Sequence, residues 1–141
     1  MEWSAAQAAR LAGVSPSQVA YWSRTGLVVP HGRPARYGFR DLVALRVVGS
    51  LLAAGLAPAR VRRGLRHLIE AGDDVTGLRI VTDGDRVWAC RDDGQILDAL
   101  REGQLALFVA VDRFAAEVEA AVAELDAERD EFLARVIGAG G

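Results

Sequence analysis

The chain has 141 residues, of which 51% are hydrophobic and 26% charged, and its formal net charge is −2. This composition is typical of a soluble globular protein and excludes a disordered chain. No run of about 18 uncharged apolar residues is present to predict a membrane span, and the first residues lack the features of a signal peptide, so we expect a cytoplasmic protein.

The small net charge conceals two halves of opposite sign. Residues 1–70 contain ten arginines and three acidic residues, a net charge of +7, whereas residues 71–141 contain seven arginines and sixteen acidic residues, a net charge of −9. All 17 basic residues are arginines, a bias typical of GC-rich bacterial genomes, so finding arginine in place of lysine at any one site is weak evidence of selection there. The split predicts a polyanion-binding half joined to a separate partner segment.

Two helix-start signals lie close together near the N-terminus. The pattern Ser-x-x-Gln of a capping box occurs at residues 4–7 and again at 15–18, where Pro16 occupies the first helical position. Gly13 ends the first helix, and the second stops near residues 25–26. Two short helices with a tight connection predict a helix-turn-helix.

A hairpin and two further helices follow in the predicted order. β-prone runs at 27–29 and 36–39 flank a Pro- and Gly-rich loop at 30–35, which predicts a small β wing. Apolar residues at helical spacing then predict helices over about 40–54 and 58–71.

The second half of the chain changes its hydrophobic period. Alternation predicts strands at 78–81 and 86–91, and two more apolar runs, at 96–97 and 104–108, are candidates for further strands. An acidic helix over about 111–137 has an apolar stripe too long for a small sheet to cover, which favours homodimerisation. The predicted dimerisation residues are Phe114, Val118, Val122, Leu125, Phe132 and Val136.

These elements together predict an α+β chain with three parts. An N-terminal winged helix-turn-helix of four helices and a small β wing occupies residues 1–71, and a small antiparallel β segment occupies 72–110. A long C-terminal dimerisation helix at 111–137 follows, with a flexible tail at 138–141.

The helix-turn-helix carries a recognisable pattern. Residues 18–28 read Gln-Val-Ala-Tyr-Trp-Ser-Arg-Thr-Gly-Leu-Val, and Arg36-Tyr37 and Asp41-Leu42 follow. This arrangement resembles the MerR family of bacterial regulators over roughly residues 3–70. The resemblance implies that the second helix enters the major groove, that the wing touches the DNA backbone or minor groove, and that a C-terminal helix pairs antiparallel in a dimer.

The chain departs from that family pattern in two ways. Ala20 stands where the family usually has a groove-facing arginine, so base contacts fall to neighbouring positions. About forty residues of predicted β structure also separate the fourth helix from the dimerisation helix, so the family's effectors do not carry over.

The predicted DNA-binding residues combine hydroxyls suited to phosphates with Gln and Arg suited to base edges. They are Ser15, Ser17, Gln18, Tyr21, Arg24, Arg33, Arg36, Tyr37 and Arg40, and Arg46 is a weaker candidate for a phosphate contact. Capping alone is an alternative for Ser15 and Gln18, core packing for Tyr21, and a solvated loop for the arginines of the wing.

The sequence predicts neither an enzyme nor a metal or cofactor site. Its single cysteine, Cys90, reads as a small buried hydrophobe, and no His, Lys or nucleophile stands beside the Asp pairs of the turns. Trp88, with Leu78, Ile80, Val87 and Phe108, either lines an effector pocket or forms a second core. The β segment is therefore the predicted site for a small-molecule or protein effector.

The function predicted from these features is a homodimeric, sequence-specific regulator that binds double-stranded DNA at a pseudo-palindromic operator. One alternative is an antitoxin-like or adaptor protein whose acidic half binds a protein partner, with DNA binding for autoregulation. Another is an architectural or recombination-accessory factor.

Overall fold

The structure is a computed structural model, and it describes residues 1–72, 74, 76–82, 86–92, 94–95 and 107–140. Five helices and three strands have defined bounds within these residues. In chain order they are α1 (Ala5–Ala12), α2 (Pro16–Arg24), α3 (Phe39–Ala53), α4 (Pro58–Ala71), β1 (Arg79–Thr82), β2 (Val87–Cys90), β3 (Leu107–Ala110) and α5 (Val111–Gly140). The predicted α+β class, with its N-terminal helices, small antiparallel sheet and long final helix, is confirmed.

The first two helices begin at the predicted caps. Ser4 and Ser15 both form complete capping boxes, with the glutamine three residues later bonding back to the serine N–H. Gly13 ends α1 at φ +73°, a left-handed conformation that glycine adopts without a steric penalty. The turn between α1 and α2 therefore follows from local sequence signals.

Helix α3 is the centre of the hydrophobic core. Five of its apolar side chains, Leu42, Leu45, Val47, Val48 and Leu51, are fully buried. Gly49 allows α3 to approach the first two helices closely, because a Cβ atom there would lie 2.9 Å from Val14 Cγ1 and 3.7 Å from Trp22. Close packing at Gly49 therefore fixes α3 against the helix-turn-helix.

The predicted wing is a loop closed by single residue pairs rather than by strands. His31 and Arg36 exchange two backbone hydrogen bonds of 2.8 Å, and Tyr37 pairs in the same way with Trp3. The run 27–29 is not a strand, because the N–H groups of Leu27 and Val28 donate to the Trp22 carbonyl at the end of α2. We call residues 31–36 the arginine loop.

The three strands form an antiparallel sheet in the order β2-β1-β3. The first two predicted strands lie within one residue of β1 and β2, whereas β3 extends to Ala110. The candidate strand at 96–97 and the first residues of the candidate at 104–108 lie outside the described residues.

The two faces of β1 belong to different clusters. Leu78 and Ile80 join the main core, and Ile80 lies beside the Gly64 backbone of α4. Val81 instead packs with Cys90 and Trp88 on the other face. A second core built on Leu78 and Ile80 was therefore a wrong prediction, because strand alternation turns Ile80 toward α4.

The long helix α5 packs along its first half on its own chain. Val111, Ala115 and Val118 are buried, and Phe114, Ala121, Val122 and Leu125 pack against the same core. The helix continues through Gly140, three residues beyond its predicted end, into the segment expected to be a flexible tail. Extending an existing helix is easier than starting one, since each added residue gains a hydrogen bond. No helix of the described part is long and apolar enough to cross a membrane.

We expect Gly49→Ala to destabilise the fold by about 1–3 kcal/mol, because the added methyl group overpacks the contact with Val14. The free energy of unfolding in urea measures this change. Gly138→Ala is the matched control, since nothing lies within 4 Å of its Cβ position, and it should be neutral or slightly stabilising. Equal stabilities of the two variants would contradict the close contact.

The buried Tyr37 predicts a loss of stability at alkaline pH. Its side chain is 1% exposed, and burial, with the nearby Asp41 charge, raises its pKa above the ordinary value despite a hydrogen bond with Ser23. The folded state then holds the phenolic proton more tightly than the unfolded chain, so stability falls as the pH rises above about 10.

Urea unfolding at pH 8 and near pH 10.5 measures the effect. Tyr37→Phe should lose less stability between the two conditions than the unsubstituted chain. The same loss in both proteins would assign the alkaline destabilisation to another group.

Candidate nucleic-acid interface

Helix α2 presents one polar face to solvent and one apolar face to the core. Val19 and Trp22 are buried, which confirms the core position predicted for Trp22. The predicted contact residues lie on the exposed side of the helix or at its start: Ser15, Ser17, Gln18, Tyr21 and Arg24. Tyr21 is exposed, so core packing does not account for it. The small Ala20 is exposed among them and leaves room for a ligand to approach the helix.

The N-terminus of α2 is held by reciprocal hydrogen bonds. Ser15 Oγ accepts from the Gln18 N–H at 3.1 Å, and Gln18 Oε1 accepts from the Ser15 N–H at 2.9 Å. Capping thus occupies one oxygen of each side chain. The Gln18 amide NH₂ group and the Ser17 hydroxyl remain as polar groups that can reach a base edge or a phosphate.

The C-terminal end of α2 carries a cation beside an aromatic ring. Arg24 Cζ lies 5.9 Å from the centre of the Tyr21 ring, within the range of a cation–π contact. Arg62 of α4 donates to the Thr25 carbonyl at 2.8 Å and so anchors this end of the helix. No local pattern distinguishes Arg62 from the other arginines of α4, because this contact joins residues 37 positions apart in the chain.

The arginine loop brings two further cations to the surface. Arg33 and Arg36 are exposed, and neither pairs with a carboxylate within the described part of the chain. Arg40 is also exposed at the start of α3, but it interacts within the chain. The loop therefore contributes uncompensated positive charge close in sequence to the end of α2.

Tyr37 does not fit its predicted DNA contact. Its ring is buried beneath the loop, and its backbone pairs with Trp3. A phosphate could reach the hydroxyl only if the core repacked. Tyr37 instead packs in the core under the loop. The Arg-Tyr pair in the sequence did not distinguish this buried position from a surface contact.

Two arginines outside α2 and the arginine loop are neutralised by α5. Arg10 pairs with Glu128 at 2.8 Å, and Arg46 pairs with Glu117. The Arg46 guanidinium also lies 5.0 Å from the Phe114 ring. The weaker prediction of a phosphate contact for Arg46 therefore fails, because its charge is already compensated. Arg24, Arg33 and Arg36 have no such carboxylate partner in the described residues.

The predicted dimerisation residues fall into two groups. Val118 is fully buried, and Phe114, Val122 and Leu125 are partly buried, all against the core of the same chain. Phe132 and Val136 are 63% and 53% exposed. Two neighbouring residues that the prediction omitted, Leu133 and Ile137, are exposed with them. We call these four exposed residues of α5 the distal patch.

The β segment contains the groups considered for an effector. Trp88 packs against Val81 and Cys90, and burial, with the nearby Asp92 charge, raises the pKa of the Cys90 thiol. The thiol is therefore protonated and unreactive near neutral pH. In the residues that the structure describes, no three His, Cys, Asp or Glu side chains lie close enough to hold a metal ion.

Comparison with known proteins finds a family match in the N-terminal half of the chain. The family description "MerR HTH family regulatory protein" matches residues 4–68. The chain is also 32% identical over 130 residues to uncharacterised HTH-type transcriptional regulators of Mycobacterium bovis and Mycobacterium tuberculosis. That match covers 86% of this chain and 58% of each relative. Over residues 4–68, just under half of the chain, the sequence is therefore similar to the helix-turn-helix regulators of the MerR family.

Proposed function

We propose that the chain is a sequence-specific transcriptional regulator that binds double-stranded DNA as a homodimer. The observation that carries the proposal is the surface formed by α2 and the arginine loop. There Arg24, Arg33 and Arg36 are exposed without carboxylate partners in the described residues, whereas two arginines outside this surface are paired with α5. A surface of this kind suits a polyanion.

The two parts of this surface have different roles in the proposal. Helix α2 enters the major groove, where Gln18 and Arg24 read base edges and Ser17 contacts a phosphate. Arg33 and Arg36 contact the flanking backbone, which fixes the register of α2 without reading sequence. The relatives named as HTH-type transcriptional regulators support a DNA-binding regulator in general.

The homodimer in this proposal forms through α5. Its distal patch leaves four large apolar side chains in water, and a second copy offers an identical surface. A two-fold dimer presents two α2 helices related by symmetry, so the operator is pseudo-palindromic, with half-sites about 34–36 Å apart.

Arg24→Gln and Arg36→Gln should each weaken DNA binding about tenfold or more, since a hydrogen bond to a charged group contributes about 1.5–3 kcal/mol. Arg36→Gln should also reduce the slope of log K against log[salt] by about 0.9, because one phosphate contact is lost, whereas Arg24→Gln removes a base contact and should relax the sequence preference. The probe is a duplex that the unsubstituted chain selects from a random pool, titrated by fluorescence anisotropy.

Arg113→Gln is the matched control for charge, because Arg113 is an exposed arginine of α5 and belongs to neither α2 nor the loop. It should leave the salt slope unchanged. If all three variants bind alike, α2 and the arginine loop are not the DNA-binding surface. Failure of the unsubstituted chain to select any duplex would refute the proposed function itself.

Val136→Glu should convert the dimer into a monomer at micromolar concentration. The substitution forces an unpaired carboxylate into an apolar contact, which costs several kcal/mol and raises the dissociation constant at least a hundredfold. Sedimentation velocity measures the shift. Ala134→Glu, on the opposite face of α5 two residues away, is the control and should remain dimeric. A dimer that survives Val136→Glu would place the interface elsewhere.

A further inference from the structure

One side chain on the exposed face of α2 has no hydrogen-bonding group. Four exposed residues share this face, opposite the side chains that pack in the core: Ser17, Ala20, Tyr21 and Arg24. The last three follow Ser17 at intervals of three, four and seven residues, which is the spacing of a single helix face. Ala20 therefore presents a methyl group between a hydroxyl, a phenol and a guanidinium.

The polar neighbours of Ala20 are engaged on either side of it. The Cζ atom of Arg24 lies 5.9 Å from the centre of the Tyr21 ring, a cation–π contact that holds the cation over that ring. Ser23, on the other side of Ala20, hydrogen-bonds with the buried Tyr37. Neither contact covers Ala20, which is exposed.

The surroundings of Ala20 are unsuited to a polar base edge. Pro16, one turn earlier in α2, is exposed, and its ring has no polar group. A donor or acceptor of a base that is pressed against Ala20 loses its bound water and gains no hydrogen bond, which is unfavourable. An apolar group at the same place is removed from water together with the Ala20 methyl group, which is favourable.

Thymine is the base that presents a methyl group in the major groove. Its C5-methyl group stands beside the O4 acceptor, whereas adenine, guanine and cytosine present hydrogen-bond donors and acceptors there. Alanine is among the side chains that make apolar contact with this methyl group. The chemistry of the α2 face at Ala20 therefore favours thymine.

We propose that Ala20 is a specificity-determining residue, whose methyl group contacts the C5-methyl group of a thymine in each half-site. The inference rests on the proposed function, in which α2 enters the major groove. Ser17 precedes Ala20 along the helix and Arg24 follows it, so their contacts with phosphate and base hold α2 at the depth where the two methyl groups meet. Ala20 then selects thymine over cytosine at one position of the half-site without forming a hydrogen bond.

Deoxyuridine substitution tests the contact, because deoxyuridine is thymidine without the C5-methyl group and pairs with adenine in the same way. The probe is the duplex that the unsubstituted chain selects from a random pool. Each thymine of one half-site is replaced singly, and binding is titrated by fluorescence anisotropy. For one thymine, the unsubstituted chain should bind the deoxyuridine duplex about fourfold more weakly, as expected for one buried methyl group.

Ala20→Gly removes the methyl group of the protein. This variant should bind the thymine and deoxyuridine duplexes equally, whatever affinity it loses because glycine weakens the helix. Ala134→Gly, at an exposed alanine of α5, controls for a glycine in a helix and should keep the fourfold difference. Arg36→Gln weakens binding to both duplexes and should keep the difference as well.

A second variant, Ala20→Gln, keeps a good helix former at this exposed position and therefore preserves the fold. In a new selection from the random pool it should lose the preference for thymine at the position that deoxyuridine identifies. The preferences at the other positions should remain.

Two results would overturn the contact and leave the regulator intact. One is a half-site in which no thymine shows the difference. The other is a difference that persists in Ala20→Gly, which assigns the effect of the methyl group to another side chain or to the shape of the duplex. Failure of the unsubstituted chain to select any duplex refutes the proposed function, and the inference with it.

Discussion

The side chain of Arg46 joins three elements on which the domain depends. A Cβ atom at Gly13 would lie 3.2 Å from Arg46 Nη1, so the guanidinium sits against the turn between α1 and α2. The same group pairs with Glu117 and lies over the Phe114 ring of α5. Partial burial makes this pair less sensitive to salt than a surface ion pair. Through one side chain, α3 fixes both the geometry of the helix-turn-helix and the direction in which α5 leaves it.

Local signals in the sequence were sufficient for the N-terminal helices. The two capping boxes, Gly13 and Pro16 act on neighbouring residues only, so their effect does not depend on the rest of the fold. The wing and Tyr37 were harder to predict. Tyr37 pairs through its backbone with Trp3, which is distant in sequence, and the N–H groups of Leu27 and Val28 bond to the Trp22 carbonyl of α2 instead of to a strand. The division of the α5 stripe could not be read at all. Val118 and Val136 are the same residue type in the same apolar stripe, and they differ only in that Val118 packs into the core of the chain whereas Val136 is exposed.

The two halves of opposite charge contact each other in the structure. Part of the positive charge of the first half is neutralised where α5 crosses α1 and α3, through Glu128 and Glu117. The acidic helix therefore removes part of the positive charge of the first half and leaves that of Arg24, Arg33 and Arg36 without a carboxylate partner in the described residues. Positive charge that remains exposed steers a molecule toward a polyanion before contact.

Because α5 is one continuous helix, its length sets the distance between the two ends of the proposed dimer. The helix has 30 residues, about 45 Å at 1.5 Å per residue, and it contains no proline to bend it. Inserting one residue near its middle would rotate the distal face by about 100°, whereas inserting seven would nearly restore the face and lengthen the helix by about 10.5 Å. Ten ångströms correspond to about three base pairs. A seven-residue insertion would therefore keep the helix face but move the second α2 helix about three base pairs out of phase with the one-turn spacing of the proposed half-sites.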